Sequence, residues 1–232
     1  PVSAARMIRR AAEYRAALDP DHAEGWVLGV DQLDDILVLR PGGLYVVGAL
    51  SKSGKSKLQV WIGHGLASFG VPVLDLSLEM GRDLRWDWYV SRHLGLDSSV
   101  IGTQAMPRPD VEALLAASHP VYGLSLTIDD RPSRTLRDVG LAVQEWRAGT
   151  SGPGVVLLDY LQLMHLERER GESEATALAR TARGLAVEAR RSGCAWVVTA
   201  QLNRAAEEDE PGPQHLEGSG GIAQAAAGML LL

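Results

Sequence analysis

The chain has 232 residues, of which 46% are hydrophobic and 22% are charged, and this ordinary globular composition allows one domain with a large core or at most two small ones. Its formal net charge of −6 excludes a protein that coats nucleic acid over its whole surface, so any such contact must be local. Cys194 is the single cysteine, which excludes an internal disulfide framework, and no apolar run is long enough to cross a bilayer, so we expect a soluble, cytoplasmic protein without membrane contact.

The N-terminal segment predicts a helix set apart from the rest of the chain. Residues 3–18 place apolar side chains at helical spacing between arginines, and Asp19-Pro20 ends the pattern. The small apolar face fits a helix packed on its own domain as well as a linker helix that docks on a neighbouring subunit. We expect this helix, of either type, within residues 1–24 and a main domain over 25–232.

From residue 42 onward, strand-like and helix-like segments alternate. The strand-like runs are LYVVGAL, VPVLDLSLEM, LSLTIDD, GVVLLDYLQLM, CAWVVTAQLN and GMLLL, and the helix-like segments cover 55–68, 82–94, 136–147 and 174–192. Such alternation predicts an α/β fold, a mainly parallel sheet with helices on both faces, whose ligands bind beyond the carboxyl ends of the strands. The polar stretches 168–173 and 205–221 are expected to be loose, and the longer one is expected to be functional or disordered.

The most informative motif follows the first strand-like run. Ala49-x-x-x-x-Gly54-Lys55-Ser56 is the phosphate-binding loop pattern with Ala in place of the first Gly. Backbone N–H groups at the positive end of a helix can cradle phosphates. Lys55 would reach the β- and γ-phosphates, and the Ser56 hydroxyl would hold Mg²⁺. The motif indicates a nucleoside triphosphate, although a flexible surface loop is the alternative. The predicted binding residues are Ala49, Ser51, Lys52, Ser53, Gly54, Lys55, Ser56 and Lys57.

Polar side chains end three of the other strand-like runs. Asp159 follows four apolar residues, and a buried carboxylate there needs a partner such as Mg²⁺, usually through water. Glu79 could orient or deprotonate an attacking water, or it could cap the next helix. Gln201 could sense the γ-phosphate and pass the signal to the following loop, or it could simply face solvent. Structural roles are favoured for four residues nearby, although the aromatic ones could stack on a nucleotide base: Asp75, Trp86, Trp88 and Tyr89.

The order and spacing of these motifs resemble the ATPase domain of DnaB-type replicative helicases, from about residue 25 to 232. The resemblance is carried by PGGLYVVGALSKSGKS, VPVLDLSLEM, IDDRPSRTLRDV, VVLLDYLQLM, VVTAQLNR and SGGIAQAAAGMLLL. It implies a RecA-like P-loop NTPase fold and a ring of six subunits, with ATP between subunits and single-stranded DNA in the central channel. It also implies that Lys55 and Ser56 bind phosphate and Mg²⁺, that Glu79 is the catalytic base, that Asp159 is the metal-linked acid and that Gln201 is the sensor.

Two departures from the family pattern bear on DNA. The last motif reads IAQAAA over residues 222–227, where the family usually has IEQDAD, and residues 204–217 contain five acidic side chains against one Arg. Acidic groups repel a phosphate backbone and weaken its binding. We expect an ATP-dependent replicative DNA helicase. The alternatives are a RecA-like ATPase in recombination or regulation that does not unwind DNA, and a non-hydrolysing nucleotide-binding assembly module.

Overall fold

The computed structural model describes residues 25–26, 31–34, 37–98, 101, 112, 116, 121–207, 210–216 and 219–232. The helix predicted over residues 3–18 lies outside the described residues. Within them, no helix is both long and apolar enough to span a membrane.

Strands and helices alternate along the described chain. The strands are β1 (Leu44–Ala49), β2 (Val73–Ser77), β3 (Leu126–Asp129), β4 (Val155–Asp159), β5 (Ala195–Gln201) and β6 (Gly228–Leu231). The helices are α1 (Asp31–Asp34), α2 (Lys55–Ser68), α3 (Arg82–Leu94), α4 (Leu136–Ala148), α5 (Glu174–Ser192) and α6 (Ser219–Ala225). Short 3₁₀ turns cover Leu161–Leu163, Arg204–Glu207 and Pro213–His215.

The described strands form one parallel sheet in the order β3-β2-β4-β5-β1-β6. This confirms the predicted α/β fold with a parallel sheet. Strand β5 lies between β1 and β4, so the carboxyl ends of these three strands meet at one edge of the sheet. That edge is where ligands bind in open parallel sheets.

Alternate residues of each central strand face two separate cores, because successive side chains point to opposite faces of a sheet. Leu44 and Val46 of β1 belong to the core that α4, α5 and α6 cover, whereas Tyr45 and Val47 belong to the core that includes residues of α2. Both faces are therefore covered by helices, and the central strands consist almost entirely of apolar residues.

Local capping explains why the predicted bounds of α3 and α5 match the observed ones and why those of α4 nearly do. Helix α5 begins after Ser173, whose side chain accepts from the Thr176 N–H, and ends at Gly193 in the left-handed conformation, with φ 65°. Helix α3 likewise ends before Gly95, with φ 68°. Helix α4 begins with a capping box at Thr135 and extends one residue beyond the prediction.

Two expectations about local structure are wrong. The run GVVLLDYLQLM is not one strand, because β4 ends at Asp159 and the chain turns into a 3₁₀ helix that buries Leu161 in the core. The stretch 205–221 is not loose where it is described. Leu216 is 1% exposed and pairs with Leu202 in an antiparallel bridge, and the Asn203 N–H donates to the His215 carbonyl. These bonds hold the described part of the stretch against the domain.

Candidate functional site

The loop between β1 and α2 has the backbone geometry of a phosphate cradle. Gly54 precedes the first turn of α2 with φ 96° and Lys52 has φ 62°, both in the left-handed region. A Cβ added at Gly54 would meet nothing within 4 Å, so the backbone conformation rather than space favours glycine there. The loop leads directly into the N-terminus of α2, where unpaired backbone N–H groups favour anions.

The Lys55 ammonium folds back on its own loop. Its Nζ donates to the carbonyls of Ala49 at 3.1 Å and Leu50 at 2.9 Å. Burial lowers the pKa of Lys55, while the carboxylates of Asp159 and Glu79 act in the opposite direction. The three lysines of the chain, at positions 52, 55 and 57, all lie in this segment, so its positive charge is concentrated at one point.

A cavity of about 570 Å³ opens at this edge of the sheet. Its size suits a small-molecule ligand. It is lined by Ser51, Lys52, Ser53, Gly54, Lys55, Ser56, Lys57, Glu79, Met80, Trp88, Tyr160 and Gln201. The structure thus brings together most of the residues predicted from the sequence. Ala49 and Asp159 do not line the cavity, since Ala49 is a buried strand end and Asp159 lies in the buried interior.

Glu79 lies in the loop after β2 with its side chain exposed. Two hydrogen bonds fix the loop on either side of it. The Leu78 N–H donates to the Asp159 carbonyl at 2.8 Å, and the Ser77 hydroxyl donates to the Met80 carbonyl at 2.8 Å. The Glu79 carboxylate therefore stands at the cavity on a loop anchored to β4.

Asp159 ends β4 and has both carboxylate oxygens engaged within the protein. The Thr199 hydroxyl donates to its Oδ1 at 2.6 Å, and Arg85 Nη1 donates to its Oδ2 at 2.9 Å. Its residue exposure is 0%. The Asp159 carboxylate could therefore act on a metal ion in the cavity only from beneath the cavity surface.

Arg85 of α3 is a site residue that the sequence reasoning missed. Its Nε donates to Asp75 Oδ2 at 2.8 Å, and the Tyr89 hydroxyl donates to the same oxygen at 2.7 Å. Burial alone would lower the pKa of Arg85, but the carboxylates of Asp75 and Asp159 outweigh it and raise the pKa. The sequence does indicate that a buried cation lies near β2, because Asp75 is a carboxylate inside an apolar strand and needs a cationic partner. The sequence does not show which arginine supplies it.

Gln162 is a second residue that was missed, and it fixes the end of β5. Its Oε1 accepts from the Gln201 backbone N–H at 3.1 Å, and its Nε2 donates to the Gln201 carbonyl at 3.3 Å. The turn after Asp159 is thereby bonded to the strand end that carries the predicted sensor. This pairing explains why a polar residue stands within the apolar run DYLQLM.

The aromatic residues of α3 have different surroundings. Tyr89 is fully buried, as expected for core packing, whereas Trp86 is partly buried and packs against the exposed Tyr122 with ring centroids 4.9 Å apart. Trp88 also lines the cavity, and the Lys57 Nζ lies 5.7 Å from its ring centroid. Trp88 is thus the aromatic residue of this helix that a ligand in the cavity could touch.

The residues at the cavity fit a magnesium–nucleotide complex better than a metal held by protein alone. Among the described residues, no group of three or more His, Cys, Asp or Glu side chains could hold a metal ion. Mg²⁺ takes oxygen ligands and is commonly bound by one or two protein groups plus phosphates and water. The Ser56 hydroxyl in the first turn of α2 lines the cavity, and the Asp159 carboxylate lies beneath it, where it could act through water, so the protein supplies the small number of oxygen groups that such a complex needs.

Comparisons with known proteins agree on one family. The family model described as "DnaB-like helicase C terminal domain" matches residues 25–232. The replicative DNA helicase DnaB of Synechocystis sp. is 28% identical over 171 residues, which are 73% of this chain and 19% of that protein. The chain thus spans about a fifth of the length of this curated relative.

Two solved structures have the same fold, each with a TM-score of 0.82 at 18% identity. One is a DnaB-like replicative helicase studied with primase, and the match covers 97% of this chain and 55% of that one. The other is the ATPase domain of a second protein, and the match covers 100% of this chain and 84% of that one. The fold is therefore the RecA-like fold of these ATPase domains, and the chain belongs to the DnaB-like helicase C-terminal domain family.

Proposed function

We propose that the chain is the ATPase domain of a replicative DNA helicase, which couples ATP hydrolysis to movement along single-stranded DNA and to duplex unwinding. One observation carries the proposal. In a chain of this family, the cavity gathers the lysine-bearing loop, Glu79 and Gln201 at one edge of the sheet. The names of the curated relative and of the solved ATPase domain agree with this function.

The segment Ser51–Lys57 would hold the phosphates of ATP. Its backbone N–H groups and the N-terminus of α2 supply fixed positive dipoles, and Lys55 exchanges its bonds to the loop carbonyls for bonds to phosphate oxygens. Ser56 would bind Mg²⁺ directly and Asp159 would bind it through water. When bound, Mg²⁺ neutralises the charge that develops on the phosphates.

Glu79 is the residue best placed to act on the attacking water. Its carboxylate is exposed at the cavity, close enough to Lys55 to influence the pKa of that lysine. It would orient the water and accept its proton. Gln201 would contact the γ-phosphate, and its strand end leads directly into the segment after β5. Loss of the γ-phosphate would thereby be passed to that segment.

Single-stranded DNA and further copies of this chain are the proposed partners. The proposed assembly is a ring of six with nucleotide between subunits, and membership of this family supports it. Acidic residues after β5, including Glu210, oppose a strongly bound phosphate backbone. They favour a second candidate function, a RecA-like ATPase that works in recombination or regulation without unwinding DNA.

Binding of ATP tests the phosphate site. Lys55→Ala removes charge-assisted hydrogen bonds and should weaken ATP binding by roughly tenfold or more, as measured by isothermal titration calorimetry. Arg190→Ala removes one positive charge from an exposed position on α5 and serves as the matched control. Equal affinities for the two variants would contradict the phosphate-site assignment.

The response to DNA separates the two candidate functions. For a helicase, single-stranded DNA should stimulate ATP hydrolysis, and the stimulation should decline steeply as salt concentration rises. If the protein hydrolyses ATP at a rate that does not change when DNA is added, the result would favour the second candidate function, an ATPase that does not unwind DNA.

A further inference from the structure

A single buried guanidinium joins the elements that carry the candidate site. Arg85 has a side-chain exposure of 0%. Its Nη1 donates to Asp159 on β4 at 2.9 Å, its Nη2 donates to Gln59 on α2 at 2.6 Å, and its Nε donates to Asp75 on β2 at 2.8 Å. The helix that begins at the phosphate loop and the strands that precede Glu79 and end at Asp159 are therefore bonded to the same side chain.

Arginine is the residue type that this position requires. A second bond from Nη2 reaches Asp75 at 3.1 Å, and Nη1 also approaches the Ser56 carbonyl at 3.5 Å, so each of the five N–H groups of Arg85 has an acceptor. A lysine offers three N–H donors on one nitrogen and could not bond both carboxylates with this geometry.

The charges of this cluster bear directly on Asp159. Arg85 brings one positive charge against the two buried carboxylates of Asp75 and Asp159, and its Nη1 lies 2.9 Å from an Asp159 oxygen. A cation at that distance, shielded from water, cancels much of the electric field of the carboxylate. The Thr199 hydroxyl holds the other oxygen at 2.6 Å, so the carboxylate cannot turn toward the cavity without breaking a bond.

We propose that Arg85 is a positioning residue that holds the Asp159 carboxylate beneath the cavity and limits how strongly it attracts the metal ion bound with the nucleotide. This inference rests on the proposed function, since Asp159 acts on a metal only if a nucleotide binds in the cavity. Weak attraction would suit a site that must release its metal and product in every cycle.

The test compares two variants that differ only at position 85. Removing Arg85 alone would leave two unpaired buried carboxylates and would destabilise the fold. The double variant Asp75→Asn/Arg85→Gln removes one charge of each sign, so the net charge of the cluster is unchanged and Asp159 loses its cation. The single variant Asp75→Asn retains Arg85 and is the control. The affinity of each protein for ADP is measured without metal and then over a series of Mg²⁺ concentrations.

The midpoint is the Mg²⁺ concentration at which half of the metal-dependent change in ADP affinity has occurred. It should be roughly three- to tenfold lower in the double variant than in Asp75→Asn, because Asp159 is no longer neutralised. Metal-free ADP affinity should agree within about twofold, since no residue of the phosphate loop is substituted and the loop loses only the long 3.5 Å contact to the Ser56 carbonyl. An equal or higher midpoint would overturn the proposal and leave Arg85 a structural role only.

Two further results complete the test. If the double variant does not fold, Asp75→Asn/Arg85→Met replaces it, because an apolar side chain of similar length is often tolerated in place of a buried ion-pair partner. Asp159 again loses its cation, so the midpoint should again fall below that of Asp75→Asn, and an unchanged midpoint would overturn the proposal. Failure of the proposed nucleotide site has a different signature, because the unaltered chain would then not bind ADP at all, and the role of Arg85 would fall with it.

Discussion

Replacing Gln59 with Leu should destabilise the protein strongly, because this fully buried amide connects α2 to three other elements. Its Nε2 donates to the carbonyls of Leu158 at 3.0 Å and Val197 at 3.1 Å, and its Oε1 accepts from Arg85 at 2.6 Å. Each neutral bond contributes about 1 kcal/mol, and the bond from a charged donor contributes about 1.5–3 kcal/mol. Leucine recovers about 1 kcal/mol by burying more apolar surface.

The net loss in the free energy of unfolding should therefore be about 2.5–4 kcal/mol. Urea denaturation followed by tryptophan fluorescence measures it. Gln144→Leu, at an exposed position on α4, is the matched control and should change stability by no more than about 0.5 kcal/mol. A loss below about 1 kcal/mol for Gln59→Leu, with an unchanged denaturant slope, would refute the reasoning that this amide holds the elements together.

Two more predictions concern pH and the end of β5. Burial, with help from Arg92 and His93, lowers the pKa of His64 from 6.5 to about 4. The unfolded chain therefore takes up this proton first, and stability falls as the pH drops from about 6.5 to 4. Urea denaturation at pH 7 and pH 5 measures the free energy of unfolding at each pH. The difference between the two values should be smaller for His64→Gln than for the unaltered protein, and an equal difference would contradict the assignment. Gln162→Leu should lower ATP turnover while ATP affinity stays within about twofold, because it frees the Gln201 backbone from its two bonds. A change in affinity alone would contradict that role.

Local signals in the sequence were sufficient to predict the secondary structure closely. Glycines and capping residues such as Ser173 mark helix ends by their own conformational preferences, so α2, α3 and α5 could be bounded without a structure. The strand order could not be predicted in this way, because the position of β5 between β1 and β4 depends on contacts across the whole chain. The turn after Asp159 was also missed, since LQL is equally apolar in a strand and in a packed 3₁₀ turn.

Most of the cavity was predictable because nearly all of its lining residues follow a strand or begin α2, whereas Trp88 lies in the middle of α3. Arg85 was not, because a helical arginine is normally solvated, and its burial depends on Asp159, which is distant in sequence. Gln162 was missed for the same reason, since its partner is the backbone of Gln201 on another strand. The sequence therefore located most of the groups that line the cavity, whereas the groups that hold them in place could be found only from the three-dimensional pairing.

Hydrolysis of ATP by the Glu79→Gln variant tests the central claim most directly. The amide keeps the size of the side chain but cannot accept a proton from water, so ATP affinity should be preserved while the single-turnover rate falls by about 100-fold or more. Glu145→Gln, at an exposed position on α4, is the matched control and should hydrolyse ATP at the unaltered rate. A Glu79→Gln rate within about tenfold of the unaltered protein would contradict the account and place the catalytic base elsewhere.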